Sequence, residues 1–205
     1  MGAVYIKSYE APQIDRGEIL RYAGAVSENT EMRSILDECL AEISGKLTYN
    51  VCYLECPIAF SDGELDFGFM KTSSKALLKR MEGCTAAIVF AATVGIEIDR
   101  IIRKYSAISS AKQLLFNAIG AERVEALCDV FFESVKKEKA ELGLSVASRF
   151  SPGYADLPIE FQREIFSALD CSRKIGITLN QSMLMTPTKS VTAIIGVKNE
   201  NNRIH

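Results

Sequence analysis

A seven-residue apolar run at positions 86–92 (Ala-Ala-Ile-Val-Phe-Ala-Ala) is the strongest constraint that this sequence places on its own fold. Apolar side chains occupy both alternating faces of the run, which is far shorter than the roughly 20 residues of a membrane-spanning helix. It therefore predicts a strand that is buried on both faces. The length of 205 residues suits one substantial core, so we expect a single domain over residues 1–205 with a polar tail from about residue 198.

Helices and further strands are predicted around this strand. Helical spacing of apolar residues predicts helices at 15–24, 31–43, 73–81, 96–105, 110–139 and from Asp156 or Pro158 to about 169. Alternation predicts strands at 47–53, 65–69, 174–179, 183–185 and 190–197. Glycine in a helix interior destabilises the helix by about 1 kcal/mol relative to alanine. Within the longest predicted helix, we therefore expect either that another element approaches Gly120 closely or that the helix breaks there. Helices and strands mix without regular βαβ alternation, which favours the α+β class.

Charge, cysteine spacing and histidine content exclude several classes of protein. A net charge of −2 gives no basic surface for nucleic acid, and the absence of a signal pattern or membrane span predicts a cytoplasmic protein. The six cysteines have no CxxC spacing and mostly lie in apolar stretches, so they are predicted to be buried free thiols. The one histidine is His205, which excludes Ser-His-Asp and Cys-His catalysis and His-rich metal sites. No metal site or catalytic residue is predicted.

The segment 149–154 (Arg-Phe-Ser-Pro-Gly-Tyr) carries the chemistry of a binding site. Arg149 offers a planar donor fork that suits a carboxylate. Pro152 and Gly153 predict a turn with accessible backbone amides. The ring of Tyr154 can stack on a ligand or hold a cation such as a sulfonium. The alternative is an ordinary turn with a surface arginine and a packed tyrosine, and the segment alone favours this alternative because turn dipeptides are common.

Three segments in this order, 149–158, 175–182 and 185–192, resemble the activation domain of cobalamin-dependent methionine synthase. The first carries that family's Arg-x-x-x-Gly-Tyr motif before a proline-containing helix entry, and the third carries a Met-x-Pro-x-x-Ser-Val turn. The resemblance is strongest over residues 149–195 and can be followed through the long helix to the Ile14-Asp15 pair. It implies an α+β domain with a twisted, mainly antiparallel sheet flanked by helices.

The resemblance also implies a function in the reductive reactivation of cobalamin. In this family the activation domain binds S-adenosylmethionine (AdoMet) and presents its methyl group to cob(I)alamin on a corrinoid module, with an electron from a flavodoxin-like donor. The chemistry belongs to the cofactors, which agrees with a chain that has almost no histidine. The leading interpretation is a free-standing accessory part of a partner methionine synthase rather than a self-contained enzyme.

Six residues carry over from the family as AdoMet-binding residues: Asp15, Glu125, Arg149, Ser151, Gly153 and Tyr154. Arg149 would bind the carboxylate of AdoMet, Tyr154 would pack against the ligand, and Ser151 and Gly153 would contribute backbone contacts. Asp15 and Glu125 match acidic residues on the ligand side, although an N-cap and a solvated helix face explain them equally well.

Two departures from the family pattern leave an alternative open. The tail has no tyrosine where the family places another ligand contact, and the long loop and C-terminal helices of the family are missing. Weak AdoMet binding, or binding completed by a partner surface, is therefore expected. The alternative is a non-catalytic docking protein that stabilises the reactivation conformation without binding AdoMet. A self-contained AdoMet methyltransferase is disfavoured because there is no Rossmann-like glycine fingerprint.

Overall fold

The computed structural model describes residues 2–24 and 30–199. The strands are β1 (Tyr5–Ser8), β2 (Asn50–Pro57), β3 (Ala59–Ser61), β4 (Glu64–Asp66), β5 (Lys71–Thr72), β6 (Ala86–Thr93), β7 (Leu144–Val146), β8 (Thr178–Leu179), β9 (Met185–Thr186) and β10 (Ser190–Asn199). The helices are α1 (Arg16–Tyr22), α2 (Thr30–Ile43), α3 (Lys75–Arg80), α4 (Glu97–Tyr105), α5 (Ser110–Ala140), α6 (Gln162–Leu169) and α7 (Cys171–Ile175), with a 3₁₀ turn at Ile159–Phe161.

A five-stranded antiparallel sheet in the order β1-β2-β6-β10-β7 forms the centre of the fold. The middle strand, β6, pairs along its whole length with β2 and β10. Its alternate residues enter two different cores: Ile88 and Phe90 pack with α1, α2, α4 and α5, whereas Val89 and Ala91 pack with α3, α6 and α7. The predicted burial on both faces is confirmed, and so is the α+β class with helices flanking an antiparallel sheet. The extent of the domain over residues 1–205 stays a prediction.

The longest helix, α5, runs unbroken through Gly120. A Cβ at this position would lie 2.7 Å from Cγ1 of Ile98 and 2.8 Å from Cγ of Lys189. The glycine therefore lets α4 and the turn before β10 approach the helix backbone closely. Of the two alternatives for this residue, close approach is the correct one.

Strands were predicted less accurately than helices. The short strands β1, β3, β5 and β7 were not predicted. The expected strands at 65–69 and 183–185 are strand only at 65–66 and at 185, and α7 occupies the start of the expected strand at 174–179. Asp170, at a left-handed φ of 50°, ends α6, and α7 begins at the next residue. Lys198 and Asn199 were assigned to the polar tail, but they extend β10 by pairing with β7. The remainder of the tail, residues 200–205, lies outside the described residues, and so does its histidine.

All six cysteines are buried free thiols, as their apolar sequence context predicted. Burial raises the pKa of the Cys56 thiol to about 11, so the group stays protonated and packs as a small apolar side chain. Within residues 2–24 and 30–199, no helix combines the length and the apolar character needed to cross a bilayer.

Candidate ligand-binding cleft

The first ligand candidate, Asp15, stands where the chain passes from β1 into α1. We call residues 9–15, which make this connection, the strap. The Asp15 carboxylate caps α1 by accepting a hydrogen bond of 3.0 Å from the backbone N–H of Glu18. One turn later the fully buried Ile19 anchors the helix in the core. The predicted N-cap is thus confirmed, and the cap leaves the exposed carboxylate at the surface beside α5.

A buried ion pair on α5 fixes the strap in place. Glu122 and Arg123 are only 3% and 2% exposed. Arg123 donates to the carbonyl oxygens of Pro12 (2.5 Å) and Gln13 (2.7 Å), and also to the Glu122 carboxylate. The same carboxylate accepts a 2.9 Å hydrogen bond from the backbone N–H of Asp15. Three backbone groups of the strap, at residues 12, 13 and 15, are therefore held by two neighbouring side chains.

A cleft of 310 Å³ opens between α5 on one side and the strap with α1 on the other. It is lined by Pro12, Gln13, Asp15, Glu18, Tyr22, Glu122, Glu125, Ala126, Asp129 and Val130. Five of these residues carry carboxylates, and none of these lining residues is basic. The three from α5 have helical spacing, which places them on one face of the helix. The lining itself is acidic, and arginines outside the lining pair with four of its carboxylates: Arg21 with Glu18, Arg123 with Glu122, and Arg149 with Glu125 and Asp129.

Arg149 lies at the edge of this cleft, bound to two of its carboxylates. Its Nη1 donates to Glu125 Oε2 at 3.2 Å and its Nη2 to Asp129 Oδ1 at 2.6 Å. The side chain is 23% exposed. Burial acts to lower the pKa of Arg149, but the neighbouring Cys128, Glu125 and Asp129 raise it above the usual value, so the cation is retained. The structure thus brings Arg149, Glu125 and Asp15 to one cleft.

The remaining predicted residues follow Arg149 in a tight turn and do not line the cleft. Gly153 has a left-handed φ of 87°, a conformation that favours glycine, and its N–H donates to the Leu157 carbonyl at 2.9 Å. Ser151 is half-buried, whereas Tyr154 is 71% exposed. The predicted packing of Tyr154 against a ligand stays a prediction.

Asp156 ties the turn to α3, which packs with the turn on the face of the sheet opposite α5. Its carboxylate accepts hydrogen bonds from Ser74 Oγ (2.5 Å) and from the backbone N–H groups of Lys75 (2.7 Å) and Ala76 (3.2 Å). These bonds cap α3, and the Ser74 bond above all lowers the pKa of Asp156. Asp156 therefore fixes the turn that carries Tyr154.

Sequence reasoning missed Asp129 and the buried pair Glu122–Arg123. The spacing of Glu122, Glu125 and Asp129 was a usable signal for a shared acidic face on α5. The burial of Glu122 and Arg123 had no such signal, because charged residues are mostly exposed and the strap that contacts these two is distant in the sequence.

Two comparisons with known proteins gave matches, one to a family and one to a fold. The sequence model described as "Vitamin B12 dependent methionine synthase, activation domain" matches residues 77–203, more than half of the chain. The crystal structure of the MetH reactivation domain bound to AdoHcy superposes with a TM-score of 0.68 at 13% identity, covering 99% of this chain and 80% of that one. At this identity the likeness shows the fold. The search of curated proteins gave no match. The chain belongs to the family of vitamin B12 dependent methionine synthase activation domains.

Proposed function

We propose that this domain binds S-adenosylmethionine in the cleft between the strap, α1 and α5, and presents its methyl group for the reactivation of cobalamin. The observation that carries the proposal is the set of carboxylates in the cleft with one arginine at its edge. The cobalamin is held by the corrinoid module of a methionine synthase, which we expect to be a partner, with a flavodoxin-like protein as electron donor. Cobalamin supplies the nucleophilic cob(I) centre. This chain's residues bind and orient the methyl donor.

The charges of the cleft complement those of AdoMet. The ligand has two cationic groups, a sulfonium and an ammonium, and one carboxylate. Asp15, Glu125 and Asp129 offer partners for the cations, and Arg149 offers a fork for the carboxylate. A ligand carboxylate competes with Glu125 and Asp129 for the guanidinium, and this competition frees both side chains to face the ligand's cations. One such pair at 4 Å is worth about 1 kcal/mol in water and about 4 kcal/mol near a protein surface.

The AdoHcy in the MetH reactivation domain structure supports the ligand class. AdoHcy is what remains of AdoMet once its methyl group has been transferred, and it differs by the loss of the sulfonium charge. An acidic cleft should therefore favour the methyl donor over the product. Such a preference also helps the spent ligand to leave.

Titration calorimetry with AdoMet tests the proposal directly. We expect the wild-type chain to bind and Arg149→Ala to lose about tenfold or more, because a charge-assisted hydrogen bond to the ligand is removed. Arg173→Ala is the matched control. Arg173 lies on α7, pairs with Asp170 just before that helix, and does not line the cleft. Absence of binding by the wild-type chain, with the partner corrinoid module present, would refute the proposal.

A second candidate function is supported by the exposure of Tyr154. A tyrosine that is 71% exposed at the tip of a fixed turn suits a docking contact with the corrinoid module. In this alternative the domain stabilises the reactivation conformation without binding AdoMet. Capture of the corrinoid module with the same affinity in the presence and absence of AdoMet, together with a calorimetric blank for AdoMet, would favour it.

A further inference from the structure

The strap has little apolar burial to hold it. Residues 10–15 are all exposed or half-buried, and Ile14 is 44% exposed. Sheet pairing ends just before this stretch, where the Tyr9 N–H donates to the Tyr49 carbonyl at 2.9 Å. Between that bond and the start of α1, the polar contacts with α5 hold the backbone. The position of Asp15 therefore depends on hydrogen bonds.

We infer that Glu122 and Arg123 are positioning residues that hold the Asp15 carboxylate at the mouth of the cleft. The inference rests on the proposed function, because it gives these residues a part in AdoMet binding. Arg123 clamps the carbonyl oxygens of Pro12 and Gln13, and Glu122 accepts the backbone N–H of Asp15. Their effect on the ligand passes through the strap.

The geometry requires an arginine in this place. The guanidinium serves two backbone carbonyls and both oxygens of Glu122 from one planar group. A lysine keeps the charge opposite Glu122, but its single ammonium cannot reproduce the fork. Arg123→Lys therefore loosens the strap without leaving Glu122 as an unpaired buried charge.

The experiment is a double-mutant cycle on AdoMet affinity with Arg123→Lys and Asp15→Asn. Asparagine remains a good N-cap, so the second change removes the charge of Asp15 and keeps α1. We expect Arg123→Lys to weaken AdoMet binding about tenfold in the wild-type background, as for a lost hydrogen bond to a charged group. In the Asp15→Asn background the same change should cost clearly less, because the carboxylate that it misplaces is already neutral.

Val135→Ala is the control for general destabilisation. Val135 is a buried residue of α5 that lies about 18 Å along the helix axis from Arg123. The Val135→Ala substitution should lower the melting temperature and leave the affinity for AdoMet unchanged. Amide hydrogen exchange without ligand should be faster at residues 13–19 in Arg123→Lys than in Val135→Ala.

The possible outcomes separate this inference from the proposed function. Affinity losses that simply add, or exchange rates that are the same in Arg123→Lys and Val135→Ala, overturn the positioning role while AdoMet binding by the wild type still stands. If the wild type binds no AdoMet, the proposed function fails, and the ligand role of the pair fails with it. A non-additive loss with faster local exchange supports the inference.

Discussion

The two sides of the strap differ in size and in chemistry. On one side lies the acidic cleft of 310 Å³. On the other lies a larger cavity of 560 Å³ with a mostly apolar lining that includes Leu40, Ile43, Leu47 and Ile119. Neighbouring residues of one helix separate the two, since Glu122 lines the cleft and Arg123 lines the cavity.

The difference teaches that charge, rather than volume, indicates where a cationic ligand binds. In the larger cavity the lining has one carboxylate, Glu10, and one guanidinium, Arg123, so a sulfonium would lose its water for little net attraction. In the cleft the same group meets several carboxylates. This difference in charge is why we propose the smaller opening as the AdoMet site, and changes on the two sides should have separable effects.

The largest effect on stability is expected from changing the buried pair Glu122–Arg123, which separates the cleft from the cavity. Arg123→Met leaves Glu122 buried without its cation and should lower the free energy of unfolding by about 3–5 kcal/mol. The double variant Glu122→Met/Arg123→Met should lose less, because no unpaired charge remains. Urea denaturation measures both values. A double variant that is as unstable as the single one would contradict this account.

Truncation of a side chain that lines the larger cavity should lower stability without changing the affinity for AdoMet. Ile43 is 6% exposed and lines the large cavity. Ile43→Ala should cost about 2–3 kcal/mol, the lower part of the usual range, because the site already borders an opening. AdoMet affinity, measured by calorimetry, should stay within about twofold of the wild type. A tenfold loss of affinity would indicate that AdoMet binds in the larger cavity and not in the acidic cleft.

A change of charge on the acidic side should affect binding alone. Glu125→Gln should weaken AdoMet about fivefold, the equivalent of about 1 kcal/mol for one exposed charge pair. AdoHcy should be affected less, because it lacks the sulfonium. Glu133→Gln is the control, since Glu133 is an exposed residue of α5 that pairs with Lys136 and does not line the cleft. Equal losses for both ligands would show that Glu125 does not sense the sulfonium.

The smallest effect concerns pH and the turn beyond the cleft. The hydrogen bond from Ser74, followed by the backbone bonds to α3, lowers the pKa of Asp156, so its stabilising contribution is present above the unfolded value of about 3.9. That contribution is lost as pH falls through the lower folded-state pKa. The difference in melting temperature between wild type and Asp156→Asn should therefore shrink between about pH 6 and pH 3. A constant difference would mean that the ionised carboxylate does not stabilise the turn.

The helices and the central strand could be predicted because their own sequences contain the signal. Strand β6 is apolar on both faces, and α5 repeats apolar residues at helical spacing over 31 residues. The edge strand β1 has no such signal, because its residues do not alternate between apolar and polar. In the structure neither Tyr5 nor Ile6 is buried, at 55% and 52% exposed. Its pairing with β2 decides its conformation.

The site was predictable only where a motif carried it. Arg149 and Asp15 were found through a family resemblance, and the structure brings both to one cleft. The roles of Glu122 and Arg123 required the fold, because a buried ion pair cannot be recognised until the strap that covers it is placed. For Asp129, the sequence shows the helical spacing from Glu125, but the pairing with Arg149 is seen only in the structure.

The clamp between the strap and α5 also sets an order of events during synthesis. Arg123 holds backbone atoms 110 and 111 positions earlier in the chain. At about 5–20 residues per second, the strap leaves the ribosome several seconds or more before the helix that holds it has been made. The strap must therefore wait without its partner residues, and the cleft can form only after α5 has been made.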